Sequence, residues 1–226
     1  MIRLLLLLLL ATPVAAQESF ALPVGCEAFV TVQSRDCIVS HHFICEGDPA
    51  GQQRRVDLGE DGLLYAGLID AETQWIESFH VRSGHSERLE DSPSDRASFT
   101  ELFAYGIDTY DFRTLSDEIG PTRYRGQDRL TGEVVQIDGV TLYRTEYQIT
   151  AMTDDGVVLW SSEGSEFISE DFRMFLSGVG TVTTPDESWE VDDSPVEFIF
   201  PGEAGFLSPN PKHGCGVMMS SFSGGN

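Results

Sequence analysis

The sequence predicts an all-β chain, an antiparallel and strongly curved meander sheet, half-barrel or barrel-like, with one or two short helices. Three observations carry this. Two Asp-Gly pairs, Asp138-Gly139 and Asp155-Gly156, each stand between segments rich in β-branched and aromatic residues, and Asp-Gly suits the type I′ turn of a tight hairpin. Apolar residues alternate with polar ones in several segments, the period of a half-buried strand. A helical signal is well formed at only one place, and no repeat at a solenoid period is visible.

Residues 1–16 read as a cleavable secretory signal. Arg3 supplies the positive start, residues 4–10 are all leucine, and Val14-Ala15-Ala16 offers small residues for cleavage. The apolar run stops short of the roughly 20 residues that cross a bilayer. Leu22-Pro23-Val24-Gly25-Cys26 resembles a lipobox only loosely, with Pro23 where an aliphatic residue belongs. A periplasmic or secreted chain of 210 residues, starting near Gln17, is expected. Residues 17–219 are read as one β-rich domain and residues 220–226 as a frayed tail.

The four cysteines, Cys26, Cys37, Cys45 and Cys215, are expected to form two disulfides, since an oxidising compartment drives thiols to pair. Residues 27–33 and 38–44 have strand composition, with Ser34-Arg35-Asp36 between them. A hairpin whose two- or four-residue loop is centred on Arg35-Asp36 sets Cys26 opposite Cys45, close enough for a disulfide, and leaves Cys37 for Cys215. Without a C-x-x-C pair, a cysteine metal site is not expected.

Strands are expected at residues 63–69 and 75–81, and the polar stretch 82–96 is expected to be the longest loop. Ser98 opens a Ser-Phe-Thr-Glu string in which its hydroxyl caps the helix and Glu101 reaches back. Gly106 supplies the left-handed end; Ser94 and Asp95 are alternative starts. Residues 129–153 and 157–162 form a three-stranded meander. Its first turn pairs Ile137 with Val140, Val135 with Leu142 and Glu133 with Arg144; its second pairs Met152 with Leu159 and Ala151 with Trp160. The central strand, about 14 residues or roughly 46 Å, is long enough to require a bend. Shorter strands follow at 166–168, 172–176, 180–184 and 196–200, with Gly178 and Gly180 marking a turn, bulge or close approach.

With Arg3 set aside, 13 basic residues face 37 acidic ones. That field opposes nucleic acid and anionic lipid, so neither a nucleic-acid partner nor a membrane span is expected. The chemistry-bearing residues form no diagnostic pattern. His41 and His42 are neighbours and point to opposite faces. His80 and His85 lack the H-x-H or H-E-x-x-H spacing of a metal site, and Ser83-Gly84-His85-Ser86 is no nucleophile elbow. Acid pairs such as Asp192-Asp193, and the Asp154-Asp155-Gly156 string, lack the alternation of a calcium loop. No cofactor, metal or catalytic residue is assigned.

Shape remains. A curved antiparallel sheet can cradle a ligand on its concave face, and Trp75, Tyr143, Tyr147, Trp160, Phe172 and Phe175 are the expected lining, with the helix as plug. In outline alone this resembles exported half-barrel lipid carriers and lipocalin-like barrels. The preferred reading is a binding or carrier module for an apolar small molecule. An exported hydrolase and an acidic protein-interaction domain are the alternatives.

Overall fold

The computed structural model describes residues 19–216; the expected signal, residues 1–16, and the expected tail, residues 220–226, lie outside the described residues. One antiparallel sheet contains β1 (Cys26–Ser34), β2 (Ile38–Cys45), β3 (Gln53–Gly59), β4 (Gly62–Ile69), β5 (Trp75–His80), β6 (His85–Leu89), β7 (Ile107–Leu115), β8 (Thr122–Ile137), β9 (Val140–Met152), β10 (Val158–Ser169), β11 (Met174–Thr183), β12 (Ser188–Asp192) and β13 (Pro195–Ile199). A short helix, α1 (Phe99–Tyr105), lies between β6 and β7 in the chain. Among the described residues, no helix is long and apolar enough to cross a membrane.

From β1 to β12, spatial order follows chain order, and β13 is added beyond β1. The two edge strands, β12 and β13, are therefore consecutive in the chain, joined only by Asp193 and Ser194. Such a link reaches at most about 11 Å, whereas the edges of a flat sheet this wide would stand roughly 55 Å apart. The sheet must curl until its edges approach. Asp193 N–H donates to the Gly178 carbonyl and Arg35 N–H to the Ser194 carbonyl, each at 3.0 Å, which stitches the link to both sides. Since β12 and β13 do not pair, the sheet stays open, a half-barrel rather than a barrel.

The first hairpin turns over three residues, Arg35-Asp36-Cys37, with Ser34 opposite Ile38, one residue off the expected pairing, and a bulge between Ala28 and Val30 restores the expected opposition beyond it. Cys26 lies opposite Cys45 and is disulfide-bonded to it, with Cα atoms 4.0 Å apart; Cys37 is bonded to Cys215, Cα atoms 4.6 Å apart. The two bridges indicate an oxidising compartment.

The helix starts at Ser98, whose Oγ accepts from Glu101 N–H at 3.2 Å, and ends on left-handed Gly106. The expected return bond from Glu101 is replaced. Ser98 N–H donates to Asp108 Oδ2 at 2.8 Å, and Glu72 accepts from the Ser98 hydroxyl and from Thr100. A carboxylate from the β4–β5 loop therefore serves the helix start. Phe99 and Leu102 pack on Ile168.

In the meander, Ile137 pairs with Val140 and Val135 with Leu142. Asp138 and Gly139 both have positive φ, 48° and 82°, as a type I′ turn requires. Glu133 falls in a bulge between Leu130 and Val134 but still meets Arg144, Nε to Oε2 2.9 Å. The second turn differs. Only Gly156 has positive φ, so the loop is Asp154-Asp155-Gly156, and Met152 pairs with Val158 rather than Leu159, while Ala151 still pairs with Trp160. Three loop residues shift the register by one.

Two further expectations are corrected. The stretch 82–96 is not one loop, because β6 lies within it. Of the three inward residues of β6, His85 and Glu87 are polar groups held by side-chain partners and only Leu89 is apolar, so no apolar alternation announces the strand. The short strands expected at 166–168, 172–176 and 180–184 are parts of β10 and β11. Gly178 and Gly180 sit inside β11 as points of close approach: a β-carbon built at Gly178 collides with the Ser165 carbonyl oxygen.

Candidate functional site

Because the sheet curls, strands far apart in its order face one another across an interior. The larger apolar space there has a volume of about 550 Å³ and is walled by Trp75 of β5, Tyr110 and Phe112 of β7, Tyr147 of β9, Trp160 of β10 and Phe175 of β11. Trp189 on edge strand β12 stands at the same space, so all three tryptophans of the chain border it. Alternation places them: Tyr110 and Phe112, and Tyr147 and Ile149, are spaced by two and share a face. Trp75 meets Phe112 and Tyr124 edge-on, at 5.8 and 5.3 Å between ring centroids. It nonetheless remains 40% exposed, because its free side looks into the cavity. Phe175 belongs both to this wall and to the cluster of Phe99 and Leu102, so the helix packs against the chamber's end.

Two carboxyl groups interrupt the apolar wall, Asp128 of β8 and Glu166 of β10. Burial pushes both upward; Asp108 adds to this at Asp128, and Asp128 adds to it at Glu166, where Arg55 offsets it only in part. A carboxyl pushed upward in this way keeps its proton more readily than one in water and can then donate a hydrogen bond.

A second, polar chamber of about 450 Å³ adjoins the first, sharing Trp75, Trp160, Glu166 and Phe175 with it. Arg55 of β3 is its centre. Arg55 Nε lies 3.2 Å from Asp57 Oδ1, and the guanidinium stacks on the Tyr65 ring at 4.9 Å. Burial works to discharge Arg55, but Asp57, Tyr65, Asp193 and Glu166 outweigh it and keep it charged. Asp193 is pushed up to about 6, first by burial and then by Asp36, Asp192 and Asp57. His42 is held down at about 3 by burial, with Arg55 and His41 adding to it. His41, on the other face, stacks on Phe20 and meets the Thr31 hydroxyl at 3.0 Å through Nδ1.

At one wall of the polar chamber three side chains converge. His80 and His85 are directly opposite across the β5–β6 hairpin, with rings stacked 4.6 Å apart at 14°. Their Nε2 atoms lie 3.3 and 3.8 Å from the same oxygen, Glu87 Oε2. Glu87 Oε1 accepts from the Thr114 hydroxyl at 2.6 Å and the Tyr124 hydroxyl at 3.0 Å. Burial alone would raise Glu87, but bonds from His80, Thr114 and Tyr124 bring it down to about 2.

Of the expected lining residues, Trp75, Tyr147, Trp160 and Phe175 meet at the apolar chamber. Tyr143 instead packs edge-on against Phe103 at 5.3 Å and donates to Glu170 Oε2 at 3.1 Å. Phe172 lies between Phe29 and Phe200, its ring tilted against each at 6.0 and 6.2 Å between centroids. Tyr143 falls outside because the β8 bulge bends the hairpin: Val140 and Leu142 are the buried residues at its tip, and Ile149 and Ala151 farther along. Sequence reasoning missed Tyr110, Phe112, Arg55, Asp128 and Glu166. The alternation of Tyr110 with Phe112 was an available signal for the first two; the acids were lost among 37. Comparison with family models, curated proteins and solved structures finds no match for this chain.

Proposed function

We propose that this chain is an exported binding or carrier module that takes one apolar small molecule into the aromatic chamber. The observation that supports this best is the chamber itself: about 550 Å³, bordered by every tryptophan of the chain. That volume suits a small ligand, for which apolar walls with a few placed polar groups are the usual design. Flat rings supply contact area with little side-chain entropy to lose.

The polar groups narrow the ligand class. Asp128 and Glu166, with a retained proton, offer an O–H to a carbonyl, ether or hydroxyl oxygen. A net charge of −23 and the carboxyl groups in the wall disfavour an anionic head. The ligand expected is neutral and apolar, with an acceptor oxygen at one end.

Titration with the neutral probe N-phenyl-1-naphthylamine tests this, since the tryptophans border the binding space. Saturable probe emission with matching quenching of tryptophan, near one probe per chain, is expected. Ser162, whose hydroxyl lies 2.9 Å from that of Tyr147, faces the chamber. Ser162→Phe fills that space and should weaken probe binding by about tenfold or more, the effect of a clash worth roughly 1.4 kcal/mol. A parent that leaves its tryptophans unquenched, or a folded Ser162→Phe protein that binds as tightly as the parent, refutes the reading.

A further inference from the structure

We infer that His80, His85 and Glu87 form a three-ligand site for a zinc-class divalent cation, opening into the polar chamber beside the proposed ligand space. Spacing in sequence does not suggest it, because the pattern His80-x-x-x-x-His85-x-Glu87 is neither a helix motif nor a run along one strand. The hairpin makes it. Residues 80 and 85 are cross-strand partners, so both imidazoles stand side by side. Glu87, two residues beyond His85 on β6, returns to the same face.

The geometry is near that of a ligated ion. A tetrahedral zinc with bonds of about 2.0–2.1 Å holds its ligand atoms roughly 3.3–3.4 Å apart. Here the two Nε2 atoms lie 3.3 and 3.8 Å from Glu87 Oε2, and the potential ligand atoms are all within 4.8 Å of one another. The two histidine–Glu87 separations need at most about half an ångström of closure to reach that spacing. A simple ion pair needs one imidazole on the carboxylate; two aimed at a single oxygen suit a cation between them.

The supporting shell is present as well. Ser83 Oγ lies 2.7 Å from His85 Nδ1, which leaves Nε2 as the ligating nitrogen. The Thr114 hydroxyl holds Glu87 through Oε1, the Tyr124 hydroxyl lies 3.0 Å from Oε1 and 3.3 Å from Oε2, and Ser78 Oγ lies 3.5 Å from Oε2, which orients the carboxylate toward the histidines. Glu87 is 5% exposed and His85 14%, whereas His80 is 39% exposed, so the cluster is anchored on one side and open on the other. His80 and Glu87 both line the polar chamber. Two histidines, one carboxylate and an open position are the ligand set of catalytic rather than structural zinc sites.

The test uses the mature, disulfide-bonded protein without a histidine tag, stripped with chelator. Zn²⁺ titrated calorimetrically should bind at one ion per chain, and Co²⁺ should give the visible bands of a four- or five-coordinate complex. His80→Ala and His85→Ala, with strand content checked by circular dichroism, should each weaken Zn²⁺ binding by about 100-fold, and Ser83→Ala by about tenfold. No saturable Zn²⁺ binding and no Co²⁺ bands in the parent would overturn the site, whatever the variants do. Binding by folded His80→Ala and His85→Ala proteins equal to the parent's would overturn it too. The inference does not rest on the apolar-ligand reading: His80→Ala should leave N-phenyl-1-naphthylamine binding intact, so either idea can fail alone.

Discussion

Asp108 shows how one residue ties a helix start to the acid–base behaviour of the protein. Its Oδ2 accepts from Ser98 N–H at 2.8 Å, while its Oδ1 is buried without a partner. Burial pushes the carboxyl up to about 6; the Ser98 bond opposes this, and Asp95, Glu101 and Glu72 add to it. The folded value lies above the unfolded one, so the folded state holds the proton more tightly, and stability falls as pH rises between about 4 and 6. Asp108→Asn mimics the protonated acid. It should match the parent near pH 4 and exceed it near pH 7.5 by on the order of 1–3 kcal/mol, the size of such a shift. Urea unfolding at the two pH values checks this; an equal loss of stability at both would assign Asp108 a packing role only. His41 acts in the opposite sense. Burial holds it at about 4, so its contribution is lost as pH falls below the usual histidine value.

At the scale of elements, the glycines explain the curl. A β-carbon built at Gly164 meets the Val179 carbonyl oxygen, and one at Gly126 meets the Gln148 carbonyl oxygen and the Tyr110 hydroxyl. Tyr110 lies across from Gly126, and Tyr147 across from Gly164. Aromatic rings thus cover the glycines where the strands come closest, a device that bends sheets without exposing their backbone. Gly164→Ala should cost about 1–3 kcal/mol, the range for forcing extra volume into a packed site, and thermal unfolding equal to the parent's would remove the close approach from the account. Gly139→Val tests another effect, since nothing lies within 4 Å of a β-carbon there and only its φ of 82° matters. A loss of about 1–3 kcal/mol is expected from the backbone alone, and an unchanged melting temperature would contradict a type I′ turn. This divides what was legible in the sequence from what was not. The Asp138-Gly139 turn is local, set by turn chemistry and alternation, and was readable; the Cys26–Cys45 opposition was readable as well, but the three-residue turn and the bulge between Ala28 and Val30 that together produce it were not. The second turn missed by one residue because Asp155-Gly156 suits a three-residue loop as well as a two-residue one. Strand β6 was hidden because two of its three inward side chains, His85 and Glu87, are polar. The meeting of Trp75 with Trp160 depends on how far the sheet curls, a sum over many strand pairs that no single segment encodes.

The whole molecule is a sheet wound until its edges approach, then tied. The C-terminal segment crosses the first hairpin. Lys212 N–H donates to Gln33 Oε1 at 2.9 Å, Cys37 N–H to the His213 carbonyl at 2.8 Å, and Cys37–Cys215 fastens the crossing. The Cys37→Ser, Cys215→Ser double variant should lose about 2–4 kcal/mol in urea unfolding, as removal of a bridge closing a long loop does; a change near zero would mean that the hydrogen bonds alone hold the strap. Winding also brings Trp75, Trp160 and Phe175 to a shared wall between an apolar and a polar chamber, and the central claim is that the apolar one is a binding space. Native mass spectrometry of the protein recovered from its own compartment tests that most directly. The account predicts one small apolar molecule per chain, released by organic solvent and absent from folded Ser162→Phe protein. A parent chain that is bare on recovery, and still bare after equilibration with a neutral lipid extract, would contradict it.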